Sequence, residues 1–206
     1  ITSQFADPSK ARLYLQNIGG PLQMLAAKNY PVSSFDLQIT SWLNSNLGLK
    51  LPAGYFDLFF GNIPGCIGEI SAFLLLLGAC LLFIRRIISW EIPLSMLGSF
   101  SLLVWLLGGL RFGAGLGTGD VVFQLFSGGI MLGAFFMATD YVTSPLSRSG
   151  KIIFGCGCGI LTFLIRFYGS LPEGVSLAII IMNMTVPLLD SFFKPKIFGR
   201  KKGEVL

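Results

Sequence analysis

The stretch VVFQLFSGGIMLGAFFMAT, residues 121–139, runs without one charged side chain and then meets Asp140. A run of this length approaches the roughly 20 apolar residues that a helix needs to cross a bilayer. Residues 67–84, 92–110, 152–168 and 175–193 are apolar runs of similar length, of which 92–110 likewise carries no charge. Composition agrees. Of 206 residues 53% are hydrophobic and 12% charged, and mean hydropathy is +0.74, whereas about 25% of residues are charged in soluble domains. The expected fold is an all-α polytopic membrane protein with five transmembrane helices. Before them, residues 1–60 are broken by Pro8, Pro21, Pro31 and Pro52 and hold no spanning run. Within that segment the aromatic FDLFF, residues 56–60, is expected at the headgroup level.

The connecting segments orient the bundle. Arg85 and Arg86 follow the first run, Arg148 and Lys151 follow the third, and Lys194, Lys196, Arg200, Lys201 and Lys202 follow the fifth. Alternating helices put these three regions on one side, with nine of the fifteen basic residues, and the positive-inside rule makes that side cytoplasmic. The expected organisation is an extracytoplasmic segment 1–60, a membrane domain 61–193 and a basic cytoplasmic tail 194–206. Trp90 and Tyr168 suit the aromatic belts at the two interfaces. The net charge of +5 is accounted for by orientation, so no nucleic-acid partner is expected. The chain begins at Ile1 without a signal-peptide pattern, which leads us to expect a fragment or a processed product.

Few residues in this composition can do chemistry. There is no histidine, which excludes imidazole acid–base catalysis and imidazole metal sites. Cys156-Gly157-Cys158-Gly159 has the look of a thiolate pair, but nearby helical positions point to different sides, and no metal is expected there. The glycines 113, 115, 117 and 119 follow an apolar helix rather than a strand, so they read as a flexible outer loop and not as a nucleotide fingerprint. Glu69 stands in GNIPGCIGEISAF, among Gly61, Asn62, Gly65 and Gly68. It is either an acid in a first helical turn, favoured by the dipole, or part of a site at which exposed N–H groups meet an anion or a polar ring edge. Asp140, after Thr139, sits at a helix C-terminus, where the dipole disfavours it. It needs either a partner such as Arg148 or Lys151, or a task on an ion or electron pathway. Arg166 and Asp190 allow the same pair of readings, with snorkelling to the nearer interface the favoured one.

The stretches GNIPGCIGEISAFLLLLG (61–78), RRIISWEIPLS (85–95), FSGGIMLGAFFMATDYVTSP (126–145) and FYGSLPEGVSLAIIIMNMTVPLLD (167–190) resemble the D subunit of the Rnf electron-transport complex. Similarity to the B subunit of the sodium-pumping NADH:quinone reductase is weaker. The resemblance implies the second of two related five-helix halves. It further implies flavin-mediated electron transfer between ferredoxin and NAD, coupled to sodium or proton transport, by a subunit rather than an independent enzyme. Its partners would be the other subunits of the complex and the lipid bilayer. A passive permease or channel-like bundle and a cofactor-free assembly subunit are the alternatives. The implied cofactor is FMN, with Gly61, Asn62, Gly65, Gly68 and Glu69 as its expected surroundings and Thr139 and Asp140 as a polar network or ion pathway. In the family FMN is esterified to a threonine in a stretch resembling S-A-T-P-L. Here Gly19-Gly20-Pro21-Leu22 stands at that place, without a hydroxyl to esterify, and Thr2 is a poor substitute. Cys66, Ile70, the run Ser127-Gly128-Gly129-Ile130 and Tyr141 are further departures from the family pattern.

Overall fold

The computed structural model describes residues 32–48, 53–62, 70–110, 115–169 and 174–193, and among these every regular element is helical. Two short helices come first, α1 (Ser34–Leu47) and α2 (Tyr55–Phe60), followed by α3 (Ala72–Ile84) and α4 (Glu91–Leu107). The third apolar run is not one helix. It divides into α5 (Val121–Phe126), α6 (Ile130–Leu132) and a π-helical turn, Gly133–Met137. Two long helices, α7 (Arg148–Tyr168) and α8 (Val175–Phe192), complete the bundle.

Helices α1 and α2 are joined by exchanged caps. In a capping box the acid at the third helical position returns to its own N-cap. Here each acid serves the other helix. Asp36 of α1 accepts from Gly54 N–H at 2.8 Å and Asp57 N–H at 2.9 Å, the open end of α2. Asp57 of α2 accepts from Ser33 N–H at 2.8 Å and Ser33 Oγ–H at 2.6 Å, the open end of α1. Both carboxylates are buried. FDLFF is thus more than a surface anchor: Asp57 and Leu58 point inward, while Phe59 packs with Phe73 and Phe126. Replacing Asp36 or Asp57 with alanine is expected to loosen this unit by about 1–2 kcal/mol each. The double variant should cost less than the sum, because the two caps hold the same contact. Hydrogen exchange of the α1 and α2 amides measures it, and unchanged protection would refute the exchanged-cap account.

The main core lies where α4 crosses α7, the most extensive helix pair. Ile92, Met96, Phe100 and Val104 recur every fourth residue along α4 and bury against Phe154, Cys158, Phe163 and Phe167 of α7. Ile130 and Ala134 close the core from the third segment, and Val175 and Ile179 from α8. Glycines set how close these helices come. A Cβ on Gly155 would lie 2.0 Å from Ser95 Oγ, and one on Gly159 would lie 2.1 Å from Ser99 Oγ and 2.4 Å from Met96 O. Gly157 faces the other way, toward Met182 of α8. The Cys-Gly alternation is therefore a packing pattern, with small residues four apart admitting a neighbouring backbone. In the described part of the glycine loop, Gly117 N–H and Gly119 N–H donate to Leu106 O and Trp105 O, capping the end of α4.

Large apolar side chains also face outward. On α3, Leu74, Leu77, Leu81 and Ile84 form an exposed stripe, as do Ile180, Met184 and Leu188 on α8. A water-soluble bundle buries such stripes, whereas lipid solvates them. Helices α7 and α8 are long and apolar enough to span, while α3 and α4 are shorter apolar helices. This is a helical membrane protein whose third predicted span is interrupted.

Candidate functional site

The interruption has a local cause. Ser127 ends α5, and Gly128 takes φ 72°, a left-handed conformation that glycine adopts without steric cost. The turn removes the next intrahelical donor, so the carbonyl of Gln124 needs another partner. Arg166 supplies it. From α7 its Nη1 donates to Gln124 O at 2.7 Å and to Gln124 Oε1 at 3.2 Å. The guanidinium carbon lies 5.2 Å from the centre of the Phe100 ring, within cation–π range. Arg166 is only 7% exposed, so the snorkelling expected from the sequence is corrected: the side chain turns inward to a broken helix. The Ser127 hydroxyl, three residues on from Gln124, is fully buried and has no hydrogen-bond partner among the described residues.

Past the break, Ala138 N–H reaches back to Gly133 O at 2.8 Å, the wider bond of a π turn. Gly133 permits this bulge to sit on α8, because a Cβ there would lie 2.2 Å from Val175 Cγ1. Thr139 then donates to Phe135 O at 2.7 Å. Asp140 is exposed, and its carboxylate accepts from Thr143 Oγ1 at 3.2 Å. Neither basic residue expected as its partner fills that role: Arg148 lies 3.7 Å from Glu91, and Lys151 donates to Ser89 Oγ at 3.3 Å. Glu91 precedes the apolar run 92–110. Its own backbone N–H, the Ser89 hydroxyl and the charges of Lys151 and Arg148 hold its carboxyl below the usual carboxylate range, against the opposing effect of desolvation. Asp190 accepts from Leu146 N–H at 3.0 Å and ties the 140–147 loop to the end of α8. The two described basic links thus meet at one end of the bundle.

Among the residues expected around FMN, Gly65, Gly68 and Glu69 lie outside the described residues, as do the Gly19-Gly20 stretch and the basic tail. Gly61 and Asn62 terminate α2. Both backbone N–H groups donate to Asp57 O, at 2.8 and 2.9 Å, and the Asn62 amide donates to the Asp57 carboxylate at 3.3 Å. A Cβ on Gly61 would meet Ser71 Cβ at 2.9 Å. Both backbone N–H groups are thus directed at Asp57 O. Cys80, Cys156 and Cys158 are free thiols, and no metal-binding cluster exists among the described residues.

Known proteins share this sequence pattern. The family model described as NQR2, RnfD, RnfE matches residues 15–199. The chain belongs to that family. It is 46% identical over 148 residues to the D subunit of the proton-translocating ferredoxin:NAD(+) oxidoreductase complex of Clostridium ljungdahlii, covering 72% of this chain and 44% of the relative. To the D subunit of the Na(+)-translocating counterpart in Acetobacterium woodii it is 45% identical over 148 residues, covering 71% of this chain and 43% of the relative. To the D subunit of the ion-translocating oxidoreductase complex of Stutzerimonas stutzeri it is 47% identical over 153 residues, covering 71% and 42%. The chain thus spans less than half the length of these curated relatives. The resemblance read from residues 61–190 holds across the family model. What the sequence did not disclose is the joining of Arg166 to Gln124 at the break that begins with Ser127. Its signal was a glutamine and a Ser-Gly-Gly inside an uncharged run, which reads equally well as small-residue packing.

Proposed function

We propose that the chain forms part of the membrane-embedded D-type subunit of an Rnf-type ion-translocating ferredoxin:NAD oxidoreductase, in which flavin-mediated electron transfer drives sodium or proton transport. It acts there with the other subunits rather than as an independent enzyme. The observation that carries this reading is the interrupted third segment, whose released carbonyl is held by a buried arginine and whose Ser127 hydroxyl is buried without a partner among the described residues. Irregular backbone at membrane depth is tolerated where it is buried in protein or lines a polar path, and broken helices are a recurrent way of building ion sites. FMN belongs to this reading as the supplier of one- and two-electron chemistry; we assign it no residue among those described. Thr139 and Asp140, at the end of the same segment, extend the polar path toward the surface. The basic end is cytoplasmic and residues 1–60 lie outside.

Ser127→Ala in the assembled complex tests the reading, assayed in sealed vesicles with reduced ferredoxin and NAD. The expected result is sustained NAD reduction with less ion uptake per electron. Unchanged coupling would remove Ser127 from the ion path. Full ion-coupled activity in a complex lacking this chain would refute the role as a working subunit and leave an accessory assembly function. Ion leakage without ferredoxin or NAD would favour a passive channel. For orientation, cysteines placed at Ser147 and Ser45 should differ in intact cells: the first resists a membrane-impermeant thiol reagent and the second reacts.

A further inference from the structure

At the basic end of the bundle a cavity of about 110 Å³ opens between the turn after α3, the 139–147 loop and the first turns of α7. Two cations, Arg86 and Lys151, line it, together with the hydroxyl-bearing Ser89, Thr139, Tyr141 and Ser144. That volume exceeds what one water needs several-fold. It suits a small group with several acceptor oxygens. Tyr141 Oη–H donates to Ile87 O and Lys151 to Ser89 Oγ, so the loop and α7 brace the turn rather than fill the space.

The backbone gives the second, independent observation. Arg86 N–H donates to Phe83 O and Ile87 N–H to Leu82 O, the paired bonds of a Schellman motif closing α3. The residue between them must be left-handed, and glycine is the usual occupant. Here it is Arg86, at φ 55°, the single non-glycine residue with positive φ among those described. An arginine held in a conformation that disfavours it, with no hydrogen bond or ion pair from its side chain among the described residues, points to a use for the guanidinium. Charge for orientation alone would be met equally by the neighbouring Arg85, which does not line the cavity.

We infer that this cavity binds the phosphate of an anionic phospholipid. A lipid is favoured over a free anion because apolar side chains flank the basic turn: Ile84, Ile87 and Leu94 are exposed beside it, and exposed Trp90 stacks on Phe83 at 3.7 Å. An indole at the headgroup level with aliphatic side chains below it provides a track for acyl chains. Basic pockets between helix ends are suited to such headgroups.

The test uses the complete protein, purified in detergent, exposed to phosphatidylglycerol or phosphatidylcholine and then delipidated, with retained lipid measured by mass spectrometry. Phosphatidylglycerol should be retained over phosphatidylcholine, and Arg86→Gly and Lys151→Gln should each lower retention about fivefold. Arg86→Gly should leave the thermal midpoint unchanged or raise it, since glycine relieves the left-handed backbone. That separates lost binding from lost folding. Equal retention of the two lipids, unaltered retention in both variants, or an equal loss in Arg85→Gln would overturn the proposal. Displacement of the lipid by millimolar inorganic phosphate would also overturn it, in favour of a free-anion site.

Discussion

Replacing Gly159 with leucine is expected to force α4 away from α7 and to be among the most damaging single substitutions in this bundle. Even a bare Cβ there would lie 2.4 Å from Met96 O and 3.1 Å from Phe100 N, and these are backbone atoms that cannot rotate aside. Gly155 makes the same approach one turn earlier, 2.7 Å from Ile92 O. Overpacking in a core typically costs about 1–3 kcal/mol where side chains can adjust. With backbone on the receiving side, alanine at Gly159 should reach that range and leucine exceed it. The hydrogen bond from Ser99 Oγ to Cys156 O at 3.3 Å would be lost with the close approach. Gly98→Ala is the control, because a Cβ there meets nothing within 4 Å. It should be neutral or stabilise by about 0.5–1 kcal/mol, since alanine is the better helix former. Thermal unfolding in detergent measures all three, read by a thiol-reactive dye reaching fully buried Cys158 in a background where Cys66, Cys80 and Cys156 are replaced by serine. A midpoint for Gly159→Leu equal to that of Gly98→Ala would show that the two helices are not held together by this contact.

The parts of this fold legible in the sequence are those that one segment decides alone. The apolar runs behind α3, α4, α7 and α8 announce themselves by length and lack of charge, and the basic links at 85–86 and 148–151 by composition. What the sequence hid are features that need two distant segments. Asp36 and Asp57 look like ordinary first-turn acids, and only their mutual approach makes each the cap of the other helix. The run 121–139 has the length of a span, yet Ser127-Gly128-Gly129 breaks it because Arg166, forty-two positions beyond Gln124, takes on the task of holding the opened end. Asp140 was marked by its place at a helix terminus, and it stands two residues past Ala138, the C-cap of the π turn. Its partner is Thr143 rather than a lysine or arginine, because Arg148 and Lys151 are engaged with Glu91 and Ser89.

The broken helix also predicts how the bundle responds to loss of its buried cation. Arg166→Leu removes the Nη1 group that donates twice to Gln124, leaving a backbone carbonyl and a side-chain oxygen without that partner in an apolar interior. Each buried polar group left unsatisfied costs about 1–3 kcal/mol, and the lost contact with Phe100 adds to it, so a loss of about 2–4 kcal/mol is expected. A snorkelling arginine would behave in the opposite way. Its charge would sit in water, and leucine in a membrane helix would be neutral or stabilising. Arg166→Lys separates charge from geometry: it keeps a cation that can donate but lacks the planar guanidinium whose Nη1 serves Gln124 while its carbon lies over the Phe100 ring, so it should recover part of the loss and not all. Arg85→Leu, at an exposed position, provides the baseline, with an expected change within about 0.5 kcal/mol. The same thiol-dye unfolding assay reads the series, and hydrogen exchange at the amides of 127–130 locates the effect. Those amides should lose protection in Arg166→Leu before the α4 amides do, because the half-helix end is what the guanidinium holds. If the leucine variant unfolds with the Arg85→Leu baseline and protects 127–130 normally, Arg166 is not the brace of the interrupted segment.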